Sequence, residues 1–342
     1  MRAPCVLVSV LLVCGCVYSQ QVKTPVKSGD GLIHLDVVVT GKSGDPVDVL
    51  QAGDFSVLDN KVALAVTKFQ ARGGGDEPVY VTLLIDDVNA SYQMVAQERD
   101  QLDRFLLANG GKLAHPTTLA IFTDEGTQIQ HAFATDGKAM AAMLDQTTVG
   151  LKSLPIHNGA FGADERMEKS ISALRLLLAK EAGLPGRKLI LWVSPGWPLL
   201  SGPGIELDGR QEEQIFREVV GLSTEMRRDR ITLDDVNPVG PSEGLMQSFY
   251  YQDYLKGVSK PSQAQLADLG LQVLAEQSGG LVLNGNNDLA AMVEKCVADA
   301  KSYYEISFQG SMDEKTVYHK VEVKVDKPGL VARTRQGYYA EP

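Results

Sequence analysis

Two nearly unbroken apolar segments, Val79 to Ile85 and Lys188 to Val193, constrain this chain more than any other feature. A strand with one wet face alternates apolar and polar residues, whereas a strand apolar on both sides has to be covered on both. Between and after these segments the period changes to that of helices. Val95, Leu102, Phe105 and Leu106 lie on one helical face, and Asn109-Gly110-Gly111 supplies a left-handed stop. Met167, Ile171, Leu174 and Leu178 keep helical spacing behind Asp164, a residue placed to cap that helix. Further helices are expected at Ile215, Val219, Leu222 and Met226, at Leu266, Leu269 and Val273, and at Leu289 to Val297. Short strands are expected at Ile231 to Leu233 and Leu281 to Leu283. Strands and helices in alternation mean parallel crossover units, so the middle is predicted to be an α/β, doubly wound, mostly parallel sheet. A hairpin over Thr118 to Phe133, turning at Asp124-Glu125-Gly126, adds an antiparallel edge.

The two ends have a different period. Ile33, Leu35, Val37 and Val39 alternate with less apolar neighbours, as do Tyr304, Ile306 and Phe308, and later Val321, Val323 and Val325. Phe55 to Leu58 and Val62 to Val66 read as two strands joined tightly through Asp59-Asn60. Each end is too small to bury a sheet face alone, so the two are expected to form one small antiparallel β domain, together or against the middle. The expected divisions are a leader over 1–19, a β-rich segment over 30–71, the α/β domain over 78–301 and a second β-rich segment over 302–342.

The first residues bear on the compartment. Arg2, the apolar run Val6 to Val13, and Val17-Tyr18-Ser19 read as a removable secretion signal. Val13-Cys14-Gly15-Cys16 also resembles a lipoprotein cleavage box, which would anchor the chain through Cys16. Three of the four cysteines lie in that leader, leaving Cys296 on an apolar helical face, where a buried inert thiol is expected. No later segment is long and apolar enough to span a bilayer. The expected location is therefore secreted or periplasmic, with outer-membrane association as the anchored variant. A formal net charge of -10 without a basic cluster argues against nucleic acid as a partner.

Most chemical motifs fail. Asp86 to Ser91, between strand and helix, hold no glycine fingerprint, and Asp136-Gly137-Lys138 lacks the upstream glycine of a phosphate loop. Gly240-Pro241-Ser242-Glu243-Gly244 has the serine-hydrolase spelling but no strand leading into it. His34, His115, His131, His157 and His319 are scattered without metal-ligand spacing. One loop remains. Asp87, Asn89 and Ser91 alternate just before a helix, a set that either caps the helix or gathers hard oxygen donors for magnesium or calcium. Asn89-Ala90-Ser91 also spells a glycosylation acceptor.

Asp87-x-Asn89-x-Ser91, the segment Leu119 to Asp124 with His131-Ala132-Phe133, and Leu189 to Val193 ending in Ser194-Pro195-Gly196 resemble successive blocks of a von Willebrand factor A-type domain. The entry Val37-Val38-Val39-Thr40, the Leu274-Ala275-Glu276 to Gly279-Gly280 block, Ser302-Tyr303-Tyr304 and the ending Gly337-Tyr338-Tyr339-Ala340 more narrowly resemble secreted VWFA-related proteins of the Acidobacteria. The resemblance implies a metal-ion-dependent adhesion site on Asp87, Asn89, Ser91 and Ser194. Asn89 replaces the family's first serine and Ser194 its aspartate, while Leu151 to Gly162 offers no threonine, so a weak or vestigial magnesium site is implied.

A protein- or surface-binding module follows as the leading expectation, with no catalytic residues. Aromatic residues Phe249, Tyr250, Tyr251 and Tyr254, within Asn237 to Ser262, and Trp197 at the rim are candidate contacts. A structural component of the cell envelope is the alternative. A metal-assisted extracytoplasmic hydrolase, using Asp86, Asp87, Asp124 and Glu125, is the third.

Overall fold

The computed structural model describes residues 31–73, 77–130, 132–146, 159–198, 207–238, 259–263, 270–284, 287–311 and 317–340. The leader, the Ser242 string, the aromatic run at 249–254, His131 and His157 lie outside the described residues.

The middle of the chain is built from strands β5 (Val79–Asp86), β6 (Lys112–Thr123), β7 (Gly126–Ile129), β8 (Ala134–Asp136), β9 (Arg187–Val193), β10 (Ile231–Val236) and β11 (Val282–Leu283). They form one sheet in the order β11-β10-β9-β5-β6-β7, with β8 also paired to β6. Pairings among β5, β6, β9, β10 and β11 are parallel; β7 and β8 are antiparallel to β6. The doubly wound sheet with an antiparallel edge is therefore as the sequence pattern predicts.

Helices α1 (Tyr92–Leu107), α2 (Gly137–Gln146) and α6 (Leu289–Ala298) cover one face, where Val95, Leu102, Met140, Leu144 and Val293 pack on Val81, Leu83, Ile85 and Leu191. Helices α3 (Gly159–Glu181), α4 (Gly209–Arg228) and α5 (Leu271–Ser278) cover the other, with Leu174, Leu178, Val219, Leu222 and Leu274 on Leu84, Ile190, Trp192 and Leu233. This explains the continuous apolar runs: alternate residues of one strand enter different cores. The stop after α1 forms as expected, with Asn109 and Gly110 at φ of 52° and 72°. Cys296 is buried, and burial pushes its thiol well above the ordinary range.

Several boundaries differ from the sequence expectation, and the hairpin's second strand, β7, spans Gly126–Ile129 rather than reaching Phe133. Asp164 lies inside α3, because the helix starts at Gly159 and the cap expected of Asp164 would fall within the hydrogen-bonded run. β10 extends past Leu233 through Asp234, Asp235 and Val236, all six of its residues being buried; two consecutive acids hide a strand that the sheet covers from both sides. The strand expected from Val62 to Val66 divides into β3 (Val62–Leu64) and β4 (Val66–Gly73), which belong to different sheets.

The ends combine. β1 (Leu32–Thr40), β4, β12 (Ser302–Gln309) and β14 (Val331–Arg333) form one four-stranded sheet, ordered β14-β1-β12-β4. β2 (Phe55–Asp59), β3, β13 (Val317–Val325) and β15 (Gly337–Ala340) form another, ordered β15-β13-β2-β3. The β2–β3 turn uses Asn60 and Lys61 at positive φ (47° and 72°), the conformation that matches a two-residue hairpin to strand twist. Leu35, Val37, Tyr304 and Phe308 of the first sheet and Phe55, Val57, Val321 and Tyr338 of the second share a core. N- and C-terminal segments thus complete each other, as neither could alone.

A polar clamp joins this pair of sheets to the central one. Arg230, at φ 53° between α4 and β10, donates to Glu77 (3.0 and 3.2 Å), Asp36 (2.8 Å) and Glu305 (2.5 Å). Tyr339 adds an apolar tie, its ring 6.2 Å edge-to-face from Phe216 of α4.

Candidate functional site

Loops at the carboxyl ends of parallel strands gather where successive helices leave on opposite faces of the sheet. Here that point lies between β5 and β9. α1 leaves β5 toward one core, and α4, the next described helix after β9, lies on the other. Register fixes the neighbours: Asp86 pairs with Phe122, Ile85 with Val193, and Val193 with Val236. Ser194 N–H donates to Val236 O at 3.1 Å, and Asn237 Nδ2 donates to Pro195 O at 3.2 Å, so the ends of β6, β5, β9 and β10 form one rim.

Asp86 builds the loop. It is fully buried, its Oδ1 accepting from the backbone of Val88 (3.0 Å) and Asn89 (2.9 Å) and its Oδ2 from Asn89 Nδ2 (2.8 Å) and Trp192 Nε1 (2.8 Å). Burial pushes its carboxyl up, and the hydrogen bonds from Asn89, Trp192 and Ser194 oppose that. Both oxygens are thereby committed inward, to folding the turn.

Asp87 is next to it and 6% exposed. Burial first, then the charges of Asp86 and Asp124, push Asp87 to about 6. Asn89 Nδ2 also donates to Ser170 Oγ of α3 at 2.9 Å, while Asn89 Oδ1 is buried without a partner. In the folded chain the Asn89 nitrogen that would carry a sugar is bonded to Asp86 and Ser170. Ser91 is the N-cap of α1, its Oγ accepting from Met94 N–H at 3.4 Å. Ser194 is fully buried and its Oγ accepts from Gly196 N–H at 3.1 Å.

The sequence-predicted residues Asp87, Asn89, Ser91 and Ser194 are thus brought to one rim. Their oxygens do not make a complete magnesium site: Ser91 and Ser194 bond to backbone, and Asp86 is saturated. What remains is the Asp87 carboxylate and the Asn89 carbonyl, against the six-ligand shell magnesium prefers. Among the described residues no cluster of three or more His, Cys, Asp or Glu stands where it could hold a metal ion.

Trp197 is not a rim residue. It is 2% exposed and packs edge-to-face on Trp192 at 5.3 Å between ring centroids. Two participants went unseen in the sequence. Ser170 comes from a helix whose polar positions look solvent-facing, and Trp192 reads only as core; alternation of the apolar strand Leu189 to Val193 past Asp86 was the one available signal. Glu98 of α1 was also missed, and its 1% exposure is invisible to a helical period that counts only apolar residues.

No family model and no curated protein sequence matches this chain. Solved structures that match include proximal thread matrix protein 1 of the mussel byssus, at 10% identity and TM-score 0.40, covering 70% of this chain and 50% of that one. This chain therefore spans about half the length of the mussel protein. The manganese-loaded TRAP protein of Plasmodium vivax matches at 9% identity and TM-score 0.36, over 79% of this chain and 97% of that one. The ArnB paralog VWA2 of Sulfolobus acidocaldarius matches at 10% identity and TM-score 0.31, over 90% and 76%. The fold rests on the strand order and pairing described above.

Proposed function

We propose that this chain is an exported, non-catalytic binding module of the von Willebrand A type, which presents the rim between β5 and β9 to a protein or cell-surface ligand. The observation that carries this reading is the use of the polar groups at the rim. Asp86 accepts hydrogen bonds from Val88, Asn89, Trp192 and Ser194, and Ser91 and Ser194 also bond to backbone, so these groups shape a rigid loop set rather than stand ready to move protons. Metal bridging to an acidic partner residue is the mode the family resemblance implies. With only Asp87 and Asn89 Oδ1 remaining, the adhesion site is read here as vestigial, and contact is assigned to the loops themselves. Secretion or a periplasmic location follows from the leader, and an envelope role with lipid anchoring at Cys16 is its variant.

Capture from envelope extract, with magnesium and with a chelator, tests the reading. The wild-type chain retains the same partner in both conditions, and Asp124→Arg, which reverses charge on the rim, loses it while its melting curve is unchanged. Retention by Asp124→Arg equal to wild type, or turnover of a small substrate that Asp87→Ala abolishes, would sink the proposal.

A further inference from the structure

Glu98, halfway along α1, is 1% exposed, and neither of its carboxyl oxygens has a hydrogen-bond partner. A buried carboxyl in that state pays the full desolvation penalty with no compensating bond. It lines a cavity of about 220 Å³ together with Met94, Gln97, Gln101, Pro238 and Asn287. That space would hold several waters at roughly 30 Å³ each, or one short unbranched chain. Among the described residues no lysine or arginine lines it. We propose that this cavity is a second binding site, distinct from the β5–β9 rim, that takes a primary alkylammonium group with Glu98 as its counter-ion.

The donor and acceptor count selects that ligand. An ammonium offers three N–H donors; Glu98, whose two buried oxygens are unpartnered, and the amides of Gln97 and Asn287, both exposed residues that line the cavity with it, supply acceptors. Gln101 Oε1 already accepts from Leu289 N–H at 2.7 Å and so belongs to the wall. Met94 gives the alkyl stem an apolar, deformable side. A divalent ion finds one carboxylate where a hard cation wants a shell of oxygens. The charged groups acting on Glu98 are Asp86 and Asp87 of the β5–α1 loop, both of the sign that attracts a cation. Asp288, beside Asn287, is occupied as the N-cap of α6. Burial first, then those two charges, push Glu98 to about 8, so the empty cavity holds a protonated acid at neutral pH and an arriving ammonium displaces that proton to solvent.

Calorimetric titration of the full chain with n-butylammonium chloride tests the site. Binding is expected to be saturable and about tenfold tighter at pH 9 than at pH 7, because the ionised fraction of a group with a pKa near 8 rises about tenfold over that interval while the amine stays charged. Glu98→Gln should lower affinity at least tenfold with a melting midpoint equal to or above wild type, and n-butanol, the same stem uncharged, should not compete. Gln97→Lys at the exposed mouth gives a second test that leaves the core alone, and it too should weaken binding at least tenfold. Nα-acetyl-lysine N-methylamide binding as tightly as n-butylammonium assigns the natural source to a lysine side chain of a partner; binding of n-butylammonium alone assigns it to free amines. No saturable binding at either pH, affinity unchanged in Gln97→Lys, or competition by n-butanol would overturn the proposal. Each of these results is independent of capture at the rim, so this site and the proposed function can fail separately.

Discussion

Arg230→Ala removes the cation that holds the terminal β sheets to the central sheet. Its guanidinium is 23% exposed and meets Asp36, Glu77 and Glu305, whose side chains are 12%, 20% and 13% exposed. Deleting one partner of a buried ion pair costs about 3–5 kcal/mol, because the charges left behind are stranded. Here Arg72 still reaches Glu305 at 3.0 Å and Glu77 at 3.6 Å, and some water screens the cluster, so the expected loss is about 2–4 kcal/mol at pH 7. The pH dependence is the sharper part. Burial works to raise the Glu305 carboxyl, but the hydrogen bond from Arg72 and the charges of Arg230 and Arg72 hold it well below its ordinary 4.5. A depressed acid contributes stability above its unfolded value that is lost as pH falls through the folded one. The gap between wild type and Arg230→Ala should therefore be full at pH 7 and narrow progressively below about pH 4.5, as the stranded carboxylates take up protons. Urea denaturation at pH 7, 5 and 3.5 reads this directly. Arg230→Gly controls for the left-handed backbone and should be more stable than Arg230→Ala by about 1 kcal/mol. A loss under about 1 kcal/mol at pH 7, or a gap that does not change with pH, would refute the clamp.

Asp235, fully buried with neither oxygen bonded, has its carboxyl pushed well above the ordinary range by burial and by Asp234. Its folded state is destabilised as pH rises above the unfolded value, so Asp235→Val should raise stability by about 1–3 kcal/mol at pH 8, with a smaller gain at pH 4, in urea titrations. Asp87, held at about 6, should behave alike in direction: Asp87→Asn raises the melting midpoint above pH 6 and leaves it unchanged at pH 4. On the vestigial reading of the site, millimolar magnesium shifts the wild-type midpoint by less than the scatter between scans, and a shift that Asp87→Asn abolishes would restore a competent site. Asn89→Asp, which removes the Nδ2 donor to Asp86 and Ser170 and sets a second carboxylate against Asp86, should lower the melting midpoint at pH 7 in thermal scans.

How much the residues announced depends on the range of the interaction. Apolar periodicity is local, so Val79 to Ile85 and Lys188 to Val193 named covered strands, and the alternation at Ile33 to Val39 and Tyr304 to Phe308 named antiparallel ones, before any coordinates. Asn109-Gly110-Gly111 named its helix stop because a left-handed turn is a property of those residues themselves. Asp87-x-Asn89-x-Ser91 was also legible, with the capping role of Ser91 open beside the metal role.

Burial of charge was not legible. Asp234 and Asp235 cut short the reading of β10, since a local rule places acids at the surface and only a sheet covered on both faces encloses them. Which of Asp86 and Asp87 turns inward was decided by Trp192 and by the backbone of Val88 and Asn89, groups that come together only when β9 lies beside β5. The partners of Arg230 stand at 36, 77 and 305, and residues 238 and 287 line the cavity with Glu98, so neither the clamp nor the cavity has a sequence spacing to betray it. The chain's own pattern determined that it would wind strands and helices into a covered sheet with β-structured ends. Contacts between distant residues alone decided where its buried charges are paired and where one carboxyl is left to face a cavity.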